Sequence, residues 1–173
     1  MAQVILAARG QIRRHRQVGR YGIAYGWLVL AMGLVAGPAA GVLHVRAGEW
    51  TADRAAGFLL VTFGDMVLFG ACFGAAVAYR ARPEIHKRLM VAATVALLFA
   101  AVGRMNIASL PLATAVWLSP LFVGMAYDWR IRGRVHPAYI IATTGLFLGA
   151  FRVLWERSET WLRISRPLID ALT

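Results

Sequence analysis

Residues 55–79 read AAGFLLVTFGDMVLFGACFGAAVAY, and Asp65 is the only charge in the run. A helix needs about 20 apolar residues to cross the ~30 Å hydrocarbon core of a bilayer. Only a helix or a closed barrel can satisfy its backbone polar groups there. The run lacks the period-two alternation of a barrel strand, so it predicts a transmembrane helix. Working outward, four more apolar blocks appear: 21–45, 89–110, 111–127 and 137–155. The fourth is the shortest, and only Ser109-Leu110-Pro111 divides it from the third, which predicts a tight turn. The expected fold is an all-α polytopic transmembrane helix bundle of about five spans over 21–155. Interfacial amphipathic helices are expected in the flanking segments 1–20 and 156–173.

Composition agrees. The chain is 60% hydrophobic and 16% charged, with a mean hydropathy of +0.61. Soluble domains average about 45–50% apolar and about 25% charged, so a soluble fold is excluded. The net charge of +11 rests on arginine, with Lys87 the single lysine. These arginines stand in short loops between apolar blocks, so the partner they imply is anionic lipid headgroups and not nucleic acid.

Arginine bias sets the expected orientation. Arg9, Arg13, Arg14, Arg16 and Arg20 precede the first block. Arg80, Arg82, Lys87 and Arg88 lie between the second and third, and Arg130, Arg132 and Arg134 between the fourth and fifth. The other side holds Arg46, Arg54, Arg157, Arg163 and Arg166, with five acids among them. The expected location is a bacterial cytoplasmic (inner) membrane with the N-terminus in the cytoplasm and the C-terminus outside. Trp27, Trp50, Trp129 and Trp155 fall near block ends, as an aromatic belt requires. The apolar stretch 4–8 is too short for a cleavable signal and precedes the charges instead of following them.

Two polar constellations stand out. Asp65, Arg104 and Arg152 fall inside blocks, each toward the outer half of the bilayer, with Asn106 close along the third block. A charge at the membrane centre costs about 2.5–3.5 kcal/mol even on insertion scales, so mutual pairing is expected. The network reads either as a register-fixing ion pair or as the working site of a transporter. The second constellation is histidine. His15, His86 and His136 each precede a block that starts on the arginine-rich side, with Asp128 placed to orient an imidazole and Glu84 in reserve. Helix N-termini and arginines favour an anionic headgroup there, and haem b or a quinone is a redox alternative. A bare metal ion is disfavoured by the cationic surroundings, and His/Glu ligand spacings are missing. Cys72 stands alone in an apolar block and reads as a small buried hydrophobe.

Small residues recur at helical spacing: Gly33, Gly37 and Gly41, Gly70 and Gly74, Gly145 and Gly149. Such faces let helices approach closely. The expectation is packing within the monomer, the alternative a homo-dimer or docking into a larger membrane complex. No nucleophile elbow, P-loop, dinucleotide fingerprint or zinc-protease motif occurs, so no enzyme class is assigned.

The runs HRQVGR at 15–20, HKRLM at 86–90 and HP at 136–137 resemble a group of uncharacterised bacterial multi-pass membrane proteins. That group opens its helices with H-R-x-x-G and H-[KR]-R-x-M patterns. More loosely, the layout is similar to b-type cytochrome bundles, a resemblance that implies histidines from neighbouring helices clasping haem. Here the histidines stand at block ends and not deep inside them. The expected function is a histidine/arginine ligand site at the inner face, redox or lipid-binding. The alternative is a small transporter or accessory subunit using the intramembrane Asp/Arg network.

Overall fold

The computed structural model describes residues 2–173, with side-chain surroundings from Ile5 onward. Among them there is no strand. The helices are α1 (Ala2–Ala8), α2 (Ile12–Arg46), α3 (Ala52–Ala78), α4 (Pro83–Gly103), α5 (Leu110–Arg132), α6 (Pro137–Ala150) and α7 (Glu159–Asp170). A 3₁₀ segment, Phe151–Trp155, continues α6. Five of these, with α6 counted together with its 3₁₀ extension, are long and apolar enough to cross a bilayer. The chain is an all-α membrane bundle.

The helix ends follow from local chemistry. Thr51, Ser109, His136 and Ser158 each accept a backbone N–H of the first turn they precede, filling one of the orphan donors at a helix start. Pro83, Pro111 and Pro137 occupy the first turns of α4, α5 and α6, where no N–H is needed. Gly133 ends α5 at φ +66°, a left-handed conformation that glycine adopts without steric cost.

α3 is central, packing against α2, α4, α6 and α7. Its contact with α2 is antiparallel and built from glycine facing bulk. Phe73 fills the space over Gly26, Met66 that over Gly33, and Thr62 that over Gly37; Ala55 lies 3.5 Å from where a Gly41 Cβ would stand. Gly70 and Gly74 of α3 face Leu30 and Trp27 of α2 in return. Two of the three glycine motifs are thus taken up inside the chain; in the third, Gly149 is covered by Leu68 of α3 and Gly145 faces open space.

On the other flank, α4 and α5 run antiparallel, and α6 runs parallel to α4. Trp117 of α5 is fully buried and donates its indole N–H to the Val95 carbonyl of α4 at 2.7 Å, satisfying the one polar atom it carries inward. Phe99 meets that indole edge-on at 4.8 Å. α7 is amphipathic and lies across the starts of α3 and the end of α2. Its Trp161 donates to the Ala56 carbonyl at 2.8 Å, Ile169 is buried on Val42, Ala55 and Leu59, and Arg46 reaches the Leu172 carbonyl at 2.5 Å.

Two boundaries differ from the sequence reading. The interfacial helix expected in segment 1–20 is not a separate helix: the described part of the segment is in two pieces. Gly10 at φ +68° ends the first, and α2 begins at Ile12 and continues unbroken into the span. At 1.5 Å per residue α2 is about 52 Å long, well beyond the hydrocarbon thickness, so its arginine-bearing first turns project past the apolar layer. The junction between the third and fourth spans is also wider than a three-residue turn. α4 ends at Gly103, and residues 104–109 form the connection, with Asn106 in the left-handed region at φ +50°.

Candidate functional site: two buried ion pairs and an arginine collar

Asp65 sits at the midpoint of α3, where no water is at hand to solvate a carboxylate. The 3₁₀ segment supplies its partner: Nη2 of Arg152 donates to Asp65 Oδ1. The two side chains are 7% and 11% exposed. The remaining guanidinium donors go to the Gly149 carbonyl at 2.6 Å and the Val61 carbonyl at 3.4 Å. Phe99 of α4 lies under the cation at 4.7 Å, a favourable contact for a desolvated guanidinium. Gly64 makes the approach possible, because any Cβ there would overlap Arg152. One arginine thereby ties α3, α4 and α6 together.

Of the residues expected around Asp65, Arg152 lies against it, and Arg104 and Asn106 are elsewhere. Arg104 caps the end of α4, is exposed, and donates to the Ala100 carbonyl of its own last turn at 3.2 Å. Asn106 stands exposed in the connection beyond it. The reason is the early end of α4: both residues were placed by depth along a helix that stops before it reaches them.

A second pair lies at the opposite, arginine-rich end. Arg88 of α4 is 1% exposed and Asp128 of α5 is 4% exposed. Arg88 Nε donates to Asp128 Oδ2 at 2.7 Å and Nη2 donates to Oδ1, the two-pronged geometry that matches guanidinium to carboxylate. Nη1 goes to Glu84, to its carbonyl at 2.5 Å and its carboxylate at 2.8 Å. Glu84 is shared further with Lys87 at 2.9 Å and with Arg132. The Tyr139 ring of α6 stands 5.6 Å from the Arg88 guanidinium. Sequence reading counted Arg88 and Asp128 among loop and edge residues. The available signal was Glu84-x-x-x-Arg88, an i, i+4 pair on one helix face.

The expected role of Asp128, orienting an imidazole, is taken by a backbone group: the His136 main-chain N–H donates to Asp128 Oδ2 at 3.3 Å. The three histidines are placed differently from one another. His15 is half-buried on the first turn of α2. His86 donates Nδ1–H to the Ala76 carbonyl at 2.7 Å, which leaves Nε2 as its free lone pair. His136 uses Nδ1 to accept the Ala138 N–H at 3.1 Å, so its proton is on Nε2. Burial, and after it the nearby Arg88 cation, holds His136 below the ordinary imidazole value of 6.5. A bis-histidine haem needs a free lone pair on each ring. His86 offers one and His136 does not, so this pair does not fit haem iron as the rings stand. No group of three His, Cys, Asp or Glu side chains able to hold a metal ion occurs among the described residues.

No protein-family model, curated protein or solved structure matches this chain.

The remaining feature is the charge itself. Twelve cations share the arginine-rich end with two carboxylates: Glu84 is engaged by Arg88, Lys87 and Arg132, and Asp128 by Arg88. At the other end and in the interior, seven cations meet six carboxylates. Arg9, Arg13, Arg14, Arg16, Arg20, Arg80, Arg82, Arg130 and Arg134 are all exposed, and among the described residues none of them forms an ion pair.

Proposed function

We propose that the chain is a protein of the bacterial cytoplasmic membrane, N-terminus inward and C-terminus outward, whose arginine-rich inner face binds the headgroups of anionic phospholipids. The charge division carries the reading. Nearly the whole net charge is at one end, and its internal carboxylates are already spent on internal cations. Nine exposed arginines are left for an external anion, and guanidinium grips phosphate with two parallel donors. Each such residue near an anionic surface adds roughly 1 kcal/mol of attraction, which falls off within a Debye length.

The test is thermal unfolding of the purified protein in neutral detergent with added phosphatidylglycerol, cardiolipin or phosphatidylcholine. The anionic lipids should raise Tm, and about 0.5 M salt should reduce that rise. Equal shifts from phosphatidylcholine would refute the reading. A second reading takes Asp65 and Arg152 as the working site of a small transporter or an accessory subunit. What favours it is the place of Asp65 midway along a helix long enough to span the bilayer, since ionisable residues inside such helices mark ion and proton pathways.

A further inference from the structure

The short connection between α5 and α6 is closed by a single imidazole. Residues 133–136 join the helices, and Pro137 at the start of α6 has no N–H, so Ala138 presents the first donor. His136 caps that donor with Nδ1 and at the same time anchors its own main-chain N–H to Asp128. The cap therefore joins α6 to the carboxylate that also receives Arg88 from α4. Ser, Thr, Asn or Asp usually fills such a position, and none of those loses its acceptor near neutral pH. Histidine does: protonation puts a hydrogen on Nδ1, and two donors then face each other.

We propose that His136 is a proton-operated latch, capping the first turn of α6 while neutral and releasing it when protonated. The charged groups acting on the ring come from both neighbouring helices. Arg88 of α4 and Arg132 of α5 oppose its protonation, while Glu84 of α4 and Asp128 of α5 favour it. Burial adds to the opposing side. The latch therefore operates below 6.5. Its release frees the Ala138 N–H and loosens the first turn of α6. The Arg88 fork remains, so the helices stay assembled while the turn opens. This makes the device local, a loop that changes mobility at constant fold. The inference does not depend on the lipid reading, because it concerns groups inside the chain.

Amide hydrogen exchange of the detergent-solubilised full chain, read on peptides covering 133–140 and corrected for intrinsic rates, tests it. In the wild type, protection should fall about fivefold to tenfold between about pH 8 and pH 5, the fold-change that a lost cap represents. The midpoint should lie below 6.5. His136→Asn keeps a cap acceptor that does not titrate, and it should stay protected across the range. His136→Ala should be unprotected throughout. A wild-type profile without a step, or a step at or above 6.5, overturns the proposal. So does a step that survives in His136→Asn, because another group would then be titrating.

Discussion

Replacing Asp128 with Leu should cost about 3–4 kcal/mol of stability, with most of that loss coming from the arginine left behind. Arg88 is 1% exposed and directs Nε and Nη2 at the Asp128 carboxylate. Removing one partner of a buried pair typically costs about 3–5 kcal/mol, because the other charge stays buried and uncompensated. Glu84, at 45% side-chain exposure, still receives Nη1, which places the cost near the lower end. The His136 N–H also loses its acceptor, adding about 1 kcal/mol. Arg88→Met should cost a similar amount by stranding Asp128. The combination Arg88→Met with Asp128→Leu should recover to within about 1 kcal/mol of wild type, since apolar replacement of a whole buried pair is often neutral. Unfolding by sodium dodecyl sulfate from mild-detergent micelles, followed by tryptophan fluorescence, gives the three values. Single losses that add to the double loss within about 0.5 kcal/mol would refute the coupling, and with it the assignment of this pair as the tie between α4 and α5.

The same cycle at the other pair should separate true from apparent neighbours: Asp65→Asn with Arg152→Gln should show coupling above about 0.5 kcal/mol, whereas Asp65→Asn with Arg104→Gln should be additive. Reporter fusions after Arg82 and Arg134 should read as cytoplasmic, and fusions after Arg54 and at the C-terminus as external; a cytoplasmic C-terminus would contradict five spans. Stability contributed by neutral His136 should be full above 6.5 and be lost as pH falls through its depressed folded-state value. His136→Asn should remove that segment of the pH–stability curve.

The five spans were legible because lipid imposes a length and a composition on each helix, and α3 satisfies both without ambiguity. That Asp65 needs a cationic partner was legible for a related reason, since a charge at that depth demands one, but the choice between Arg104 and Arg152 was not. The ends were harder. α5 runs on to Arg132, past the apolar limit at Tyr127, because Asp128 is buried against Arg88 of α4 and Arg132, half-exposed, pairs with Glu84 of α4. Hydropathy counts both as loop residues, and so it concealed the Arg88–Asp128 pair. Arg104 and Asn106 were misplaced by the converse error, an apolar run that continues after its helix has stopped. The glycine faces were read as packing surfaces, but which neighbour fills them depends on helix order, which one-dimensional periodicity does not encode. Histidine spacing placed three rings at helix starts without revealing that one of them is a cap.

The separation of Asp65 from Arg152 along the chain has a consequence for biogenesis. The two residues are 87 positions apart, so at about 5–20 residues per second the ribosome supplies the arginine roughly 4–17 s after the carboxylate. During that interval α3 is complete, while the cation that neutralises it has yet to be made. An early hairpin of α2 and α3 would hold an uncompensated acid at mid-depth. The translocon must therefore either shelter α3 beside its aqueous channel or accept it protonated until α6 arrives. The buried pair can therefore close only after α6 and its 3₁₀ extension have been made.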